Sequence, residues 1–287
     1  MSPCYDLHAH STASDGTLTP AELVRRAHAR GVDVLALTDH DDVSGVAEAA
    51  ATASEVGLTL VPGIELSVTW SNMTIHVVGL HVDPTCTALR DGIARQQAFR
   101  HWRAAEIARR LAKKGIGGAA EGARSFASGP IVSRTHFARY LVEIGQAASV
   151  REVFKRFLVK GKPGYVAGDW ASLDEVLGWI HAAGGIAVVA HPARYRLTAT
   201  RLRRLLTEFT ELGGHALEVV SGSHNRDECR YMGELARRFA LLASCGSDYH
   251  GPEQPYVELG RLAPLPPGCV PVWHAPAWPG VSTAGVA

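Results

Sequence analysis

Long apolar runs are missing from this 287-residue chain. None approaches the ~18 consecutive apolar residues that a bilayer span requires, so no membrane partner is expected. Cysteine is scarce, with five residues (Cys4, Cys86, Cys229, Cys245 and Cys269), odd in number and without CxxC spacing. That excludes a disulfide framework and a thiolate zinc site, and it suits a reduced, cytoplasmic chain. A dominant charge is also lacking. With 29 Lys+Arg against 28 Asp+Glu the formal net charge is +1, which argues against a nucleic-acid coat protein but permits a local basic groove. The first residues, MSPCYDLHAHS, show no basic stretch followed by an apolar one, so no secretory signal is expected. Against these scarcities, 46% hydrophobic residues suffice for a sizeable core, and histidine is plentiful at 14.

Short apolar runs alternate with helical stretches, the pattern of repeated β-α units around a parallel sheet. A strand at Tyr5–His8 is followed by TPAELVRRAHARG, where Thr19 is a candidate N-cap, Pro20 sits at N1, Glu22 completes a capping box and Gly31 ends the helix. Val32–Thr38 is almost continuously apolar, as a strand buried on both faces should be. A helix at Val46–Val56 ended by Gly57 and strands at Leu58–Leu66 and Thr74–His81 complete the first half. The pattern resumes with a helix capped by Ser172 and Glu175, then strands at Ile186–Ala190, Ala216–Ser221 and Leu241–Cys245. Seven strand candidates result, most joined by a helix. Residues 1–96 and 167–261 are therefore assigned to a barrel, and 97–166 to a helical insertion with helices near Ala88–Lys114, Thr135–Ile144 and Val150–Leu158. The Pro/Gly-rich stretch 262–287 reads as a wrapping or loose tail.

The histidines and acids gather at strand ends. His8 and His10 lie i, i+2 on the first strand and project to one face. Asp15 follows in SDG, His40 in TDHDD, Glu65 in PGIE, His76 in TIHVVGL, His191 after IAVVA, and Asp248 and His250 in SDYH. Nearly all sit at or beyond the carboxyl end of an expected strand, the rim that carries the active site in (β/α) barrels. Singly, each histidine reads more readily as a hydrogen-bonded core or surface residue. Together, so many buried carboxylates and imidazoles cost several kcal/mol each unless partnered, and divalent cations are the partners that imidazole and carboxylate suit.

In their order, DLHAHSTASDG, ALTDHDDVSG, GIELS, IHVVGL, AHP and CGSDYH resemble the motifs of the polymerase and histidinol phosphatase (PHP) family of metal-dependent phosphoesterases. The likeness spans nearly the whole chain, including SRTHFARYLVEIG and KGKPGYV. It is greatest to the bacterial subgroup that removes the 3′-phosphate of nucleoside 3′,5′-bisphosphates and trims short RNA from its 5′ end. The resemblance implies a distorted (β/α)7 TIM-like barrel, in agreement with the seven strands, and three divalent ions. One ion would be held by His8, His10, Glu65 and Asp248, a second by bridging Glu65 with His76 and His191, and a third by Asp15, His40 and His250. Some family members carry histidine where this chain has Asp15; a harder carboxylate favours Mn or Mg over Zn there, so Mn is the first expectation with Zn, Fe or Mg as alternatives.

The expected chemistry is hydrolysis of a nucleotide 3′-phosphate, as in pAp to AMP and phosphate, by a hydroxide bridging two metals, with Glu65, His191 and Asp248 central. The second phosphate needs its own grip. Arg134 and His136 at a helix start, Lys162 in VKGKPGYV and Arg194 after His191 are the candidates, with Lys160 behind them. Trp70, Trp170 or Tyr195 could stack on a base, though an isolated aromatic is more often core. The basic stretches Arg100–Lys114 and Arg201–Arg204 read as solvated helix faces because Glu106 and Glu208 are interleaved. Cys4 reads as an inert thiol, and His224 as a residue near the rim that could touch substrate. Histidinol-phosphate phosphatase and a non-catalytic PHP-like regulatory module are the competing assignments.

Overall fold

The computed structural model describes residues 2–254 and 256–279. Its centre is a seven-stranded sheet in the order β1 to β7: β1 (Tyr5–Ala9), β2 (Val34–Leu37), β3 (Thr59–Trp70), β4 (Met73–Leu80), β5 (Ile186–Val189), β6 (Ala216–Ser221) and β7 (Leu242–Gly246). Beyond the ladder ends, the His10 amide donates to Tyr249 and the Asp248 amide donates to His8, so β7 returns to β1 and the barrel is nearly closed. Closure needs a residue without a side chain. A Cβ on Gly246 would lie 2.2 Å from the Cβ of His8.

The helices follow where their caps direct. Thr19 and Glu22 form the expected capping box at the start of α1 (Pro20–Ala29), and Gly57, at φ 75°, ends α2 (Val46–Val56). Next come α3 (Thr87–Ala112), α4 (Ala119–Ser125), α5 (Arg134–Glu143), α6 (Val150–Val153), which continues as a π turn to Leu158, and α7 (Leu173–Ala182) with its Ser172–Glu175 box. Finally, α8 (Ala199–Glu211) and α9 (Arg226–Arg238) precede β6 and β7. The Gly-rich stretch after α3 folds into α4, a helix that its glycines had masked in the sequence.

Two features depart from the expected parallel barrel. β3 runs on to Trp70, four residues past the expected end at Leu66, and β4 pairs antiparallel with both β3 and β5. Only Ser71 and Asn72 separate the two strands, and both adopt positive φ (48° and 61°), which makes a hairpin where a helical crossover was not available. The consequence is functional. His76 lies in the first half of a reversed strand, which carries it to the same rim as the carboxyl ends of the parallel strands.

Apolar packing divides into an interior and an outer layer. Ala36, Val61, Val78, Val188 and Ala216 form one interior cluster, joined by Val272, Ala275 and Trp278 of the C-terminal segment. Trp273 also stacks on Tyr5 at 3.9 Å, so residues 272–278 wrap against the barrel; 280–287 lie outside the described residues. Glu65 shares the β3 face of Val61 and pairs with Val78, so polar side chains continue the inner face toward the rim. α3 is continuous across residue 97. Its Leu89 and Ile93 pack on the main core, whereas Ile107 and Leu111 join a separate cluster with α4, α5 and the segment to Val166.

Candidate metal centre

Strand geometry brings the nine sequence-identified side chains to one place. His8 points inward from β1, and His10 follows on the same face. His40 forms an isolated bridge with Glu65 just past β2, and His76 stands one cross-strand step from Glu65, opposite Ser67. His191 and Asp248 follow β5 and β7 with φ of 30° and 56°. Non-glycine residues rarely hold positive φ, and the strain here turns both side chains back over the mouth instead of outward.

The donor atoms form three overlapping groups, each within 4.8 Å: His8, His10, Glu65 and Asp248; His10, Asp15, His40 and His250; and His40, Glu65 and His76. Glu65 is the hub. Its Oε2 lies 3.4 Å from Nε2 of both His8 and His10 and 2.7 Å from His40 Nδ1. Its Oε1 lies 2.8 Å from His76 Nδ1 and 2.9 Å from His191 Nε2. Asp248 Oδ1 approaches His10 at 3.2 Å, and Asp15 Oδ1 approaches His250 at 3.3 Å. The grouping differs from the expected partition in two details: His10 and His40 each serve two groups, and His191 reaches the centre through Glu65.

Buried polar atoms normally find partners. Here His8 Nε2, His10 Nε2, Asp15 Oδ1, His40 Nδ1 and Glu65 Oε2 have no hydrogen-bond partner among the described residues although all are buried. Five orphaned donors of the borderline-to-hard type, aimed at shared space, fit divalent cations. The charges agree. Burial raises the carboxylates of Glu65, Asp15 and Asp248, yet the surrounding imidazoles hold all three well below their ordinary range. Burial and the neighbouring His250 and His40 push His10 down to about 3, and burial takes His76 to about 4. Against burial, Glu65, Glu218 and Asp248 hold His8 well up, and Asp15 and Asp248 raise His250 to about 9. Ionised carboxylates and the neutral His10 and His76 are the states a cation needs, and a bound cation would take the place of the protons that His8 and His250 hold.

An outer ring orients these side chains, and most of it was invisible in the sequence. Glu218, buried on β6, accepts from His8 Nδ1 at 3.1 Å and from the His191 backbone amide, tying donors of β1 and β5 together. Its only sequence signal was one charge in the apolar run ALEVVS. Asp39 accepts from the Ser11 amide (2.8 Å), the Ser11 hydroxyl (2.6 Å) and the Ser14 hydroxyl (2.5 Å), and so shapes the loop that carries Asp15. Tyr195 accepts from the His76 amide at 2.8 Å and donates to the Ala190 carbonyl at 2.9 Å; it props β4 against β5 and is not free to stack on a base.

Above the donors lies a cavity of about 120 Å³, walled by the helical segment. Arg100, Arg103 and Arg134 line it together with Trp170 and Phe154. Arg100 and Arg103 correct the sequence reading, because both are buried and not solvated. Arg100 Nε donates to Asp41 at 2.7 Å, and Arg103 donates to the Val166 carbonyl at 3.1 Å. Their guanidinium carbons lie 5.0 and 5.2 Å from the Trp170 ring. Further along α3, Arg109 and Arg110 pair with Glu106 at 2.6 Å as a solvated helix face should. Burial beside Arg134 and Arg100 pulls Arg103 down to about 8, and burial with Arg100 and Arg194 lowers Arg134. Crowded, buried cations of this kind favour an anion between them.

The remaining candidates separate clearly. Arg194 lines the cavity and pairs with Asp248 at 2.6 Å. His136 does not line it: its Nδ1 accepts from the Ser133 amide at 3.0 Å, completing the α5 capping box, so the imidazole is committed to the helix start. Lys162 is exposed and also absent from the lining. His224 is held through both ring nitrogens, by the Val219 carbonyl at 3.2 Å and the Ala193 amide at 3.4 Å. Trp70 instead donates to Glu208 on the outer face at 2.5 Å.

Residues 6–185 match the model of the PHP domain family. The chain is 46% identical over 270 residues to the 3′,5′-nucleoside bisphosphate phosphatase of Chromobacterium violaceum, covering 94% of this chain and 95% of that one. It is 47% identical over 272 residues to the 5′-3′ exoribonuclease Rnm of Escherichia coli, covering 94% and 92%. A solved structure of an amidohydrolase from C. violaceum, with sulfate bound and no metal, superposes with a TM-score of 0.91 at 45% identity, covering 94% of this chain and 95% of that one.

Proposed function

The chain belongs to the PHP domain family of metal-dependent phosphoesterases, and from that premise we propose that it hydrolyses the 3′-phosphate of nucleoside 3′,5′-bisphosphates such as pAp. The same site would trim 5′-phosphorylated RNA. The observation that carries the reading is the pairing of orphaned donors with a buried arginine wall across one small cavity. A monophosphate needs only the donors; a bisphosphate needs both. Sulfate bound in the C. violaceum relative, a stand-in for phosphate, supports an anion site on this scaffold.

Three divalent ions, with Mn as the first candidate, would be held by His8, His10, Asp15, His40, Glu65, His76, His191, Asp248 and His250. When bound they would lower the pKa of water toward about 7 and neutralise phosphoryl charge. The protein's own part is positioning. Glu65 fixes the spacing of the two sides of the cluster, while Asp248 and His191 close it from positive-φ turns. Arg194 is exposed and reaches over Asp248, where it can meet an equatorial oxygen of the reacting phosphate. Arg103 and Arg134 grip the distant 5′-phosphate, and Arg100, anchored by Asp41, holds the wall in place. The helical segment 97–166 is thus the substrate-gripping unit, set on a catalytic barrel. Free cysteines and a nucleotide substrate are in keeping with action in the cytoplasm.

The test is phosphate release by Mn-loaded protein from adenosine 3′,5′-bisphosphate, AMP and histidinol phosphate. The bisphosphate should be preferred by kcat/KM, and AMP should resist. Preference for histidinol phosphate would overturn the substrate assignment.

A further inference from the structure

A second and larger groove, about 640 Å³, opens at the ends of β6 and β7. It touches the metal centre's rim without belonging to it. Ser247 lines the groove while the next residue, Asp248, lines the small cavity; likewise His224 lines the groove and bonds the backbone of Ala193, whose neighbour Arg194 lines the cavity. The arginine wall is anchored over β2 and β3 through Asp41 and Ser67, so the groove leaves the donors on the opposite side of the barrel mouth.

The groove has the chemistry of a single-strand track. Arg226, Arg230 and Arg261 line it, and its one acid, Glu258, is neutralised by Arg26 at 2.7 Å and Arg30 at 3.1 Å. Among the described residues neither Arg226 nor Arg261 has an acidic partner, and Arg230 has only exposed Asp227 at 3.3 Å. Tyr256 stands at the lip with 97% of its surface exposed, an unusual state for a large aromatic. Unpaired guanidiniums beside a free aromatic ring bind phosphates and stacked bases without reading sequence.

From this juxtaposition we infer that the β6–β7 groove carries the RNA strand downstream of the nucleotide being removed, and that it is what lets one site serve RNA as well as free bisphosphates. The inference rests on the function proposed above. With the 5′-phosphate on the arginine wall and the 3′-phosphorus at the donors, the groove past Ser247 and Tyr256 gives the rest of the strand a path away from the wall. The bond cleaved is the same in both substrates. Water oxygen adds to phosphorus, the bond from phosphorus to O3′ breaks, and O3′ leaves with a proton. The phosphate stays on the downstream strand, whose new 5′-phosphate is again a substrate.

The experiment compares the full Mn-loaded chain with Tyr256→Ala and Arg226→Ala/Arg261→Ala, on adenosine 3′,5′-bisphosphate and on a 5′-phosphorylated ribo-pentamer. The variants should lose ~10-fold or more in kcat/KM on the pentamer, chiefly through KM, and change less than ~2-fold on the bisphosphate. The salt slope of pentamer binding should fall by about 0.7 for each phosphate that an arginine no longer neutralises. Equal losses on both substrates, or none on the pentamer, overturn the groove's role. An unaltered chain that hydrolyses the bisphosphate but not the pentamer also overturns it and leaves the phosphatase reading standing. Failure on both substrates refutes that reading itself.

Discussion

The floor and the wall of the active cavity are built by opposite rules. The floor is made of imidazoles and carboxylates at strand ends, backed by buried acids: Glu218 holds His8 and the His191 amide, and Asp39 holds the loop that carries Asp15. The wall is made of long arginines on α3 and α5, seated on Trp170 and Phe154 and tied to the barrel chiefly through the Arg100–Asp41 pair. On the proposed function, the floor would supply chemistry common to many phosphate esters, and the wall would select which ester is held. Changes to the floor should therefore act on turnover and metal affinity, and changes to the wall on KM.

The largest effect should come from the hub. Glu65→Gln removes a charge that five imidazoles face, and at several kcal/mol of lost charge stabilisation kcat/KM should fall ~10³-fold or more in steady-state assays. A loss under tenfold would show that the donors are not organised around Glu65. Next, Glu218→Gln should weaken metal binding by about 10–100-fold without entering the cavity, measured by chelator competition on the folded protein. Unchanged affinity would reduce Glu218 to a packing residue.

On the wall, Arg103→Ala should raise KM for the bisphosphate by ~10-fold or more, since a charge-assisted hydrogen bond contributes about 1.5–3 kcal/mol. An aryl phosphate, having no second phosphate, should be hydrolysed with nearly unchanged KM. Equal effects on the two substrates would erase the division between floor and wall. The smallest effect concerns His136, held at about 4 by burial. Because its folded pKa lies below the unfolded value, stability is intact above pH ~6.5 and is lost as pH falls toward 4, by at most about 1.4 kcal/mol per pH unit. The gap between urea midpoints at pH 7 and 5 should narrow when His136→Asn replaces it, with His10, His76 and His81 keeping the remainder, and an unchanged gap would clear His136 of the role.

The same division explains what could be seen in the sequence. Strand-end donors announce themselves: HAH, TDH, AHP and SDYH place chemistry at fixed offsets from apolar runs, and side-chain alternation along a strand then sets their direction. Seven strands and most helices were legible from period and caps. The antiparallel β4 was not, because TIHVVGL has the same composition in either direction and only the Ser71–Asn72 turn decides it. The wall was illegible for another reason. Arg100 and Arg103 sit on a helix whose later arginines are solvated, and burial of the first two depends on Asp41 and Trp170, far away in the chain. His136 misled in the reverse sense, since SRTH is both an anion-like helix start and a capping box.

Phosphate release from adenosine 3′,5′-bisphosphate by chelator-stripped protein, titrated with Mn²⁺, probes the centre itself. Activity should be absent without the ion and return to a plateau as the donors fill, with a bound-metal content of about three per chain by elemental analysis. Full turnover by the stripped protein, or none at any Mn²⁺ concentration despite a folded chain, would contradict the assignment of these nine side chains.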